Sequence, residues 1–414
     1  MTFIGQSVPR FRSPYAGPNS YPSNAISAAT ETATLYLGAR PVRNVEVYVN
    51  PEIAIGAAPG AGNGLGGYSN GDLIGQQTGQ DIINIARAFA RWRIPMRQGK
   101  DQPVGRENVG RAPNIIEGPV PQHRLVVTVG KFAASDVFDV NSYANNARTQ
   151  FINNAFVNNL AYDYAQDVHG YDFGATVTLV NPNYAIRVGS FAMPNSPGST
   201  GLSYSTDNSH SEQVELEAHP QLLRPQSLPL IVRLLAFRNV GYMGSYSDAI
   251  NAAGPGTPPD LGSVRQNGAV RTGLGLNMEQ PIADGGATGV FARLGWADGA
   301  MESDAFSEVD QSSSLGLQVN GVHWKRKSDC VGIALGWNGI SAAHQRFLAD
   351  GGQGLTLGDG ALRYGEESIF EGYYLYQASK QLQISADFQW IANPGFNEDR
   401  GPVPVFSLRA HYVF

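Results

Sequence analysis

The chain has 414 residues, a formal net charge of −6 and only 15 % charged side chains, with 49 Gly, 25 Pro and one Cys. That balance argues against nucleic acid as the main partner, because no basic stripe dominates. The single Cys330 excludes an intramolecular disulfide. Mean hydropathy is -0.22, and no apolar run approaches the roughly 18 residues a spanning helix needs, so a helical membrane protein is excluded as well.

The start, Met1 to Gly5, lacks the charged n-region and apolar core of a signal peptide. The chain is therefore expected to be a mature form with an added Met, or to have an incomplete N-terminus. From there the pattern is period-two alternation. Ala33, Leu35 and Leu37 alternate with Thr34, Tyr36 and Gly38, and Val45, Val47 and Val49 with Glu46, Tyr48 and Asn50. Ala86, Ala88, Ala90 and Trp92 oppose Arg87, Phe89, Arg91 and Arg93, and Leu125, Val127 and Val129 oppose Arg124, Val126 and Thr128. The pattern continues through Phe173–Leu179, Thr272–Met278, Val331–Trp337 and Leu382–Trp390 to the final Phe406, Leu408, Ala410, Tyr412 and Phe414, set against Ser407, Arg409 and His411. One apolar face and one polar or glycine face predict half-buried antiparallel strands.

A soluble β protein of lectin type would share this alternation. Three features favour a membrane barrel. An apolar, aromatic edge strand at the C-terminus would invite aggregation in water but closes a barrel in lipid. Trp92, Trp296, Trp337 and Trp390 fall on apolar faces near strand ends, as girdle residues would. Turn-rich stretches at 56–80, 97–121, 193–211 and 247–267 read as long loops. The Gly-rich Ala57–Gly67 is not a phosphate loop, for no Gly-Lys-Ser/Thr follows.

Asn141–Tyr164 breaks the β pattern. Phe151, Ala155, Phe156 and Leu160 suggest short helical turns, while repeated Asn residues make a poor long helix. The segment is expected to fold inward as a constriction loop.

Several patches carry a family resemblance: Phe11–Ser20, Val45–Glu52, Val129-Gly130-Lys131-Phe132 leading to Asp136-Val137-Phe138-Asp139, Tyr143-Ala144-Asn145, Arg148-Thr149-Gln150-Phe151, Asp163-Tyr164, His169-Gly170-Tyr171, Gly358-Asp359-Gly360 and Asn393-Pro394-Gly395. Together they resemble the OprB-type carbohydrate-selective porins of Gram-negative bacteria. The resemblance implies one domain over 1–414, an all-β transmembrane antiparallel β-barrel of about sixteen strands, with 131–170 as the constriction region. It implies passive, selective diffusion of monosaccharides such as glucose across the outer membrane. It departs from the family pattern in two ways. The sequence usually found before Phe11 is absent, so the first strand should be short, and His169-Gly170-Tyr171 stands where Arg-Gly-Tyr is usual.

A sugar-selective constriction must replace some hydration yet release its solute. Guanidinium groups donate and stack, and carboxylates accept from hydroxyls. The candidates for binding are Arg87, Arg91, Arg93 and Arg124 on lumen-facing positions, Glu46 and Tyr48 on a neighbouring face, and Lys131, Asp136, Asp139 and Arg148 at or on the inward loop. Arg91 and Arg124 are expected to donate at the eyelet, and Asp136 and Asp139 to anchor the loop on basic wall residues. No cofactor or metal is expected. The expected partners are monosaccharides, outer-membrane lipid and lipopolysaccharide, and a monomeric or homotrimeric barrel is expected. No Gly-x-Ser-x-Gly elbow or His-Glu-x-x-His helix appears, His323, His344 and His411 are scattered, and the adjacent Glu366 and Glu367 would face opposite ways on a strand, so an enzyme is not expected. The alternative is an outer-membrane exporter or channel for polysaccharide or another small anionic solute.

Overall fold

The structure, a computed structural model, describes residues 1–73, 82–96, 104–106, 114–116, 119–221, 228–304 and 307–414. The alternation seen in the sequence becomes a single antiparallel sheet closed on itself. Its strands are β1 Thr2–Val8, β2 Ile26–Thr34 continued by Leu37–Val42, β3 Val45–Gly56, β4 Ile83–Pro95, β5 Arg124–Phe132, β6 Asp172–Asn181, β7 Tyr184–Pro194 and β8 His210–Ala218. They continue as β9 Ile231–Met243, β10 Gln266–Ala283, β11 Thr288–Ala297, β12 Gln311–Asn320, β13 Cys330–Gly339, β14 Glu367–Gln377, β15 Leu382–Ala392 and β16 Val403–Tyr412. Each pairs with its sequence neighbour, and β1 closes the wall on β16 with Phe3 opposite Ala410 and Gly5 opposite Leu408. This is a closed barrel of 16 strands.

The first strand is short. Thr2 lies opposite Thr32, so the lower part of β2, Leu37–Val42, pairs with β3 alone among the described residues. The break between the two parts of β2 comes at Leu35 and Tyr36, where the Leu35 N–H reaches the Pro51 carbonyl at 2.9 Å.

Side chains alternate across the wall as the sequence predicts. Val127, Val129, Phe173, Leu234, Leu294, Ile333, Phe406 and Leu408 point outward, and Trp92, Trp296, Trp337 and Trp390 are exposed on the same face. The buried apolar cluster lies inside the barrel, where the inward wall aromatics meet the inward loops. A row of rings from four strands spans β3 to β7: Tyr48 to Phe89 at 5.0 Å, Phe89 to Phe132 at 5.8 Å and Phe132 to Phe191 at 5.4 Å. Glycine on the intervening strand makes room for them. A Cβ on Gly174 would stand 2.3 Å from the Phe191 ring, and one on Gly332 would stand 2.2 Å from the Tyr373 ring.

Loops sort by rim. Long connections follow β1, β3, β5, β7, β9, β11, β13 and β15, and most connections at the opposite rim are tight. The longest connection there is the segment between β4 and β5. Its short strand Val104–Arg106 pairs with Pro119–Pro121, and its Asn114–Ile116 reaches the lumen face of β3. The rest of the 97–121 loop lies outside the described residues. At the long-loop rim the patches near the two ends of the chain interlock. The Gly401 N–H donates to the Arg12 carbonyl (2.8 Å), the Arg400 guanidinium to the Tyr15 carbonyl (2.5 Å) and Tyr15 to Asp399 (3.0 Å), while the Asp359 carboxylate accepts from Ser20 and Asn397.

Candidate functional site: the loop-filled lumen

The connection between Phe132 and Asp172 folds into the barrel, and most of its side chains are buried. It holds one 3-10 turn, Ala134–Asp136, and one turn of helix, α1 Asn154–Val157. Its asparagines explain themselves. The side-chain oxygens of Asn141, Asn146, Asn153 and Asn159 each accept the backbone N–H two residues on, at 2.9–3.1 Å. These local bonds replace those a helix would have made. The Gly-rich stretch after β3 also folds inward: Leu65–Asn70 is buried, although the sequence marks it only as a loop.

A loop inside a barrel carries backbone groups that water cannot reach, so each needs a partner. The wall supplies several of them. Glu215 accepts from Asp139 N (2.7 Å), Glu279 from Ser142 N (2.5 Å), and Glu371 from the N–H groups of Ile152 and Asn153. Glu367 accepts from Gly66 N (3.0 Å), Gly67 N (2.7 Å) and Gly395 N (2.9 Å). Wall arginines take the carbonyls. Arg293 donates to Phe156 O (2.8 Å), Ala144 O (2.7 Å) and Asp139 O (3.1 Å), and Arg409 to Ala147 O (2.6 Å) and Gln150 O (2.7 Å). These anchors were missed in the sequence. Their only signal there is a charge at a lumen-parity position of a strand.

The ten candidate residues fall into three groups. The first lies where β2–β4 meet the inward loop. Arg87 grips Asp136 through two bonds, 2.6 and 2.7 Å, and lies 5.0 Å from the centre of the Tyr171 ring. Arg148 comes from the loop and reaches Asp72 (2.6 Å), Glu52 (3.0 Å) and Thr34 (2.7 Å). Tyr171 donates to the other oxygen of Glu52 at 3.0 Å. Lys131, near the end of β5, pairs with Asp167 at 3.1 Å. Burial alone would raise the Asp167 carboxyl, but His169, Lys131 and the Tyr171 N–H together hold it below the usual carboxylate range. Beside this network is a cavity of about 110 Å³ whose lining includes Glu52, Asp72, Asn84, Asn154, Asn158 and Tyr171.

The second group faces the tight-turn rim. Glu46 is fully buried and accepts from Arg93, from Arg40 (2.6 Å) and from Tyr48 (2.8 Å). Arg91 donates to Asn114 O at 3.2 Å and lies 5.6 and 5.2 Å from the Tyr48 and Phe89 rings. Arg124 donates to Pro121 O at 2.9 Å. The third group is Asp139, whose carboxylate takes Arg293 (3.1 Å), Asn277 (2.7 Å) and the Asn159 N–H (2.9 Å). A further charge ladder, absent from the sequence reading, runs across β7–β10: Arg187 to Glu215 (2.8 Å) and Glu217 (3.0 Å), then Arg233 to Glu217 (2.7 Å) and Glu279 (3.0 Å).

A closed barrel with a lumen narrowed by inward loops and lined by matched charges is a channel. The family model described as "Carbohydrate-selective porin, OprB family" matches residues 96–414. The chain belongs to the OprB family of carbohydrate-selective porins. Its fold is similar to the high-pH structure of Pseudomonas putida OprB, with TM-score 0.69 at 14 % identity over 100 % of this chain and 93 % of that one. The low-pH structure of the same porin matches with TM-score 0.50 at 12 % identity, over 100 % and 91 %. A search of curated proteins finds no match. The family and the fold place the chain in the outer membrane as a porin and make it a channel rather than an enzyme.

Proposed function

We propose that this porin conducts neutral monosaccharides such as glucose, and that they pause where the inward loop meets β2–β4. The observation that carries this reading is charge matching. Arg148 is met by Asp72 and Glu52, Arg87 by Asp136 and Lys131 by Asp167. Unmatched arginines would draw anions into the channel. Matched pairs leave little net field and keep many donors and acceptors, which suits a neutral polyhydroxyl solute. Asn84, Asn154 and Asn158 add amide groups of both kinds, and the Tyr171 ring offers a flat apolar face.

Arg91 and Arg124 extend the path toward the tight-turn rim, with the Tyr48 and Phe89 rings beside Arg91. In this reading Glu46 and Arg93 brace that wall, and Asp136, Asp139 and Arg148 hold the loop that sets the width. The test is single-channel conductance in a planar bilayer with glucose added to one side. Steps that fall saturably with glucose support the proposal. Steps indifferent to glucose, but reduced by a small anion or a polysaccharide, refute it in favour of the alternative solutes.

A further inference from the structure

The lysines of the chain are unevenly distributed. The chain has five lysines. Lys100 lies outside the described residues and Lys131 is paired with Asp167. The other three, Lys325, Lys327 and Lys380, are all exposed in two adjacent turns, β12–β13 and β14–β15.

Those turns are rigid. The 3-10 turn Gly321–Trp324 is capped by the Asn320 side chain and ends at Lys325 in the left-handed region, φ 66°. Gly321 N reaches Asp329 O, and Arg326 N reaches Gly321 O, both at 2.8 Å. Arg326 binds Asp329, stacks 4.3 Å from the Tyr376 ring and donates to Gln377 O at 3.3 Å, so it ties one turn to the other. The acid within the patch is spent: Asp329 is occupied by Arg326, by Tyr374 (2.6 Å) and by Gln377 N (3.0 Å). Asp284, in the preceding turn, is held by His323 at 3.0 Å and by Thr288 at 2.5 Å. The aspartates beneath the three lysines are therefore already held by other donors, and the exposed Phe414 terminus, next to Val413, whose N–H reaches Gln381 O at 2.9 Å, is at the same rim.

The patch borders the lipid belt. Trp324 donates to Tyr374 OH at 3.1 Å, Tyr374 and Tyr376 stand on the outward face of β14, and Val322 is exposed beside them. Aromatic side chains of this kind sit at headgroup level, and tight turns of outer-membrane barrels face the periplasm. We propose that Lys325, Lys327 and Lys380 form a site for the headgroup phosphate of an anionic phospholipid in the periplasmic leaflet, its acyl chains lying along Tyr374, Tyr376 and Val322. A soluble phosphate would gain nothing from the aromatic shelf. Each lysine near an anionic surface adds attraction, so three together should favour an anionic lipid over a zwitterionic one by on the order of a hundredfold, less at high salt.

The experiment compares the wild-type porin with the triple variant Lys325→Gln, Lys327→Gln, Lys380→Gln, and with Arg346→Gln at the opposite rim. Each is purified in detergent, given phosphatidylglycerol or phosphatidylcholine, and weighed intact by native mass spectrometry. Single-channel conductance confirms that each variant is folded. The expected result is retention of phosphatidylglycerol by the wild type and by Arg346→Gln, and its loss in the triple variant with conductance unchanged. Retention of both lipids alike, equal retention of phosphatidylglycerol by the triple variant, or displacement of the lipid by millimolar inorganic phosphate would each overturn the proposal.

Discussion

Arg293 is the sharpest test of how the constriction is held. Its guanidinium is 1 % exposed and faces Asp139 at 3.1 Å, and it also serves the carbonyls of Phe156, Ala144 and Asp139. Arg293→Met keeps the length and removes the charge. A buried pair broken on one side costs about 3–5 kcal/mol, chiefly because the remaining charge is stranded. Asp139 keeps two donors, Asn277 and the Asn159 N–H, so the lower end applies. About 3 kcal/mol corresponds to roughly a hundredfold rise in the population of the displaced loop. The barrel itself should survive, since its ladder from β1 to β16 does not involve this side chain. The assay is hydrogen exchange over residues 133–171, paired with single-channel recording. Faster exchange confined to that segment, with larger and noisier conductance steps and weaker glucose block, is expected. Exchange and conductance both equal to wild type would refute the idea that wall arginines hold the loop by its carbonyls.

Three further perturbations address other parts of the structure. Arg91→Ala should raise conductance and weaken glucose block, and bilayer recordings in which both stay unchanged would remove Arg91 from the sugar path. Gly174→Val places its Cβ 2.3 Å from the Phe191 ring; overpacking of this kind costs about 1–3 kcal/mol, so the temperature at which the barrel loses its folded gel mobility should fall. His219, in the turn after β8, bonds Glu217 and Pro182 O, both at 2.9 Å, and its imidazole is raised above 6.5, chiefly by the Glu217 contact. A raised folded value means that its stabilisation is complete below pH 6.5 and is lost as pH rises through the folded pKa. An NMR titration of His219 with a midpoint at or below 6.5 would contradict this.

The wall was legible in the sequence because period two is a strong and local signal. Phe406 to Phe414, Leu382 to Trp390 and Val331 to Trp337 each declare a lipid face, and one face fixes the other. Cys330 opens β13. The inward loop was legible for the opposite reason: Asn141–Tyr164 breaks the alternation. Depth and partner were not legible. Arg87, Arg91 and Arg93 share one strand face, yet Arg87 meets Asp136, Arg91 meets Asn114 and Arg93 meets Glu46, and those partners lie on different segments. The Gly-rich stretch after β3 gave no sign of turning inward, because glycine suits a rim loop and a lumen loop equally well. Glu371 and Arg409 look like any polar lumen residue until the loop they hold is in place.

This division of labour has a consequence for how the eyelet can vary. The inward loop makes little regular structure of its own: a 3-10 turn, one helical turn and the asparagine turns. For several of its other amides and carbonyls the partners come from the wall, with Glu215, Glu279 and Glu371 among the acceptors and Arg293 and Arg409 among the donors. The constriction is therefore a property of two surfaces, and neither specifies it alone. A loop moved into a barrel without those five side chains would carry its asparagine turns with it but leave several buried backbone groups unpaired, at about 1–3 kcal/mol each. Changes that alter Arg91 while keeping the five wall anchors should retune the channel without unfolding it. Changes to the anchors should disorder the loop whatever its sequence.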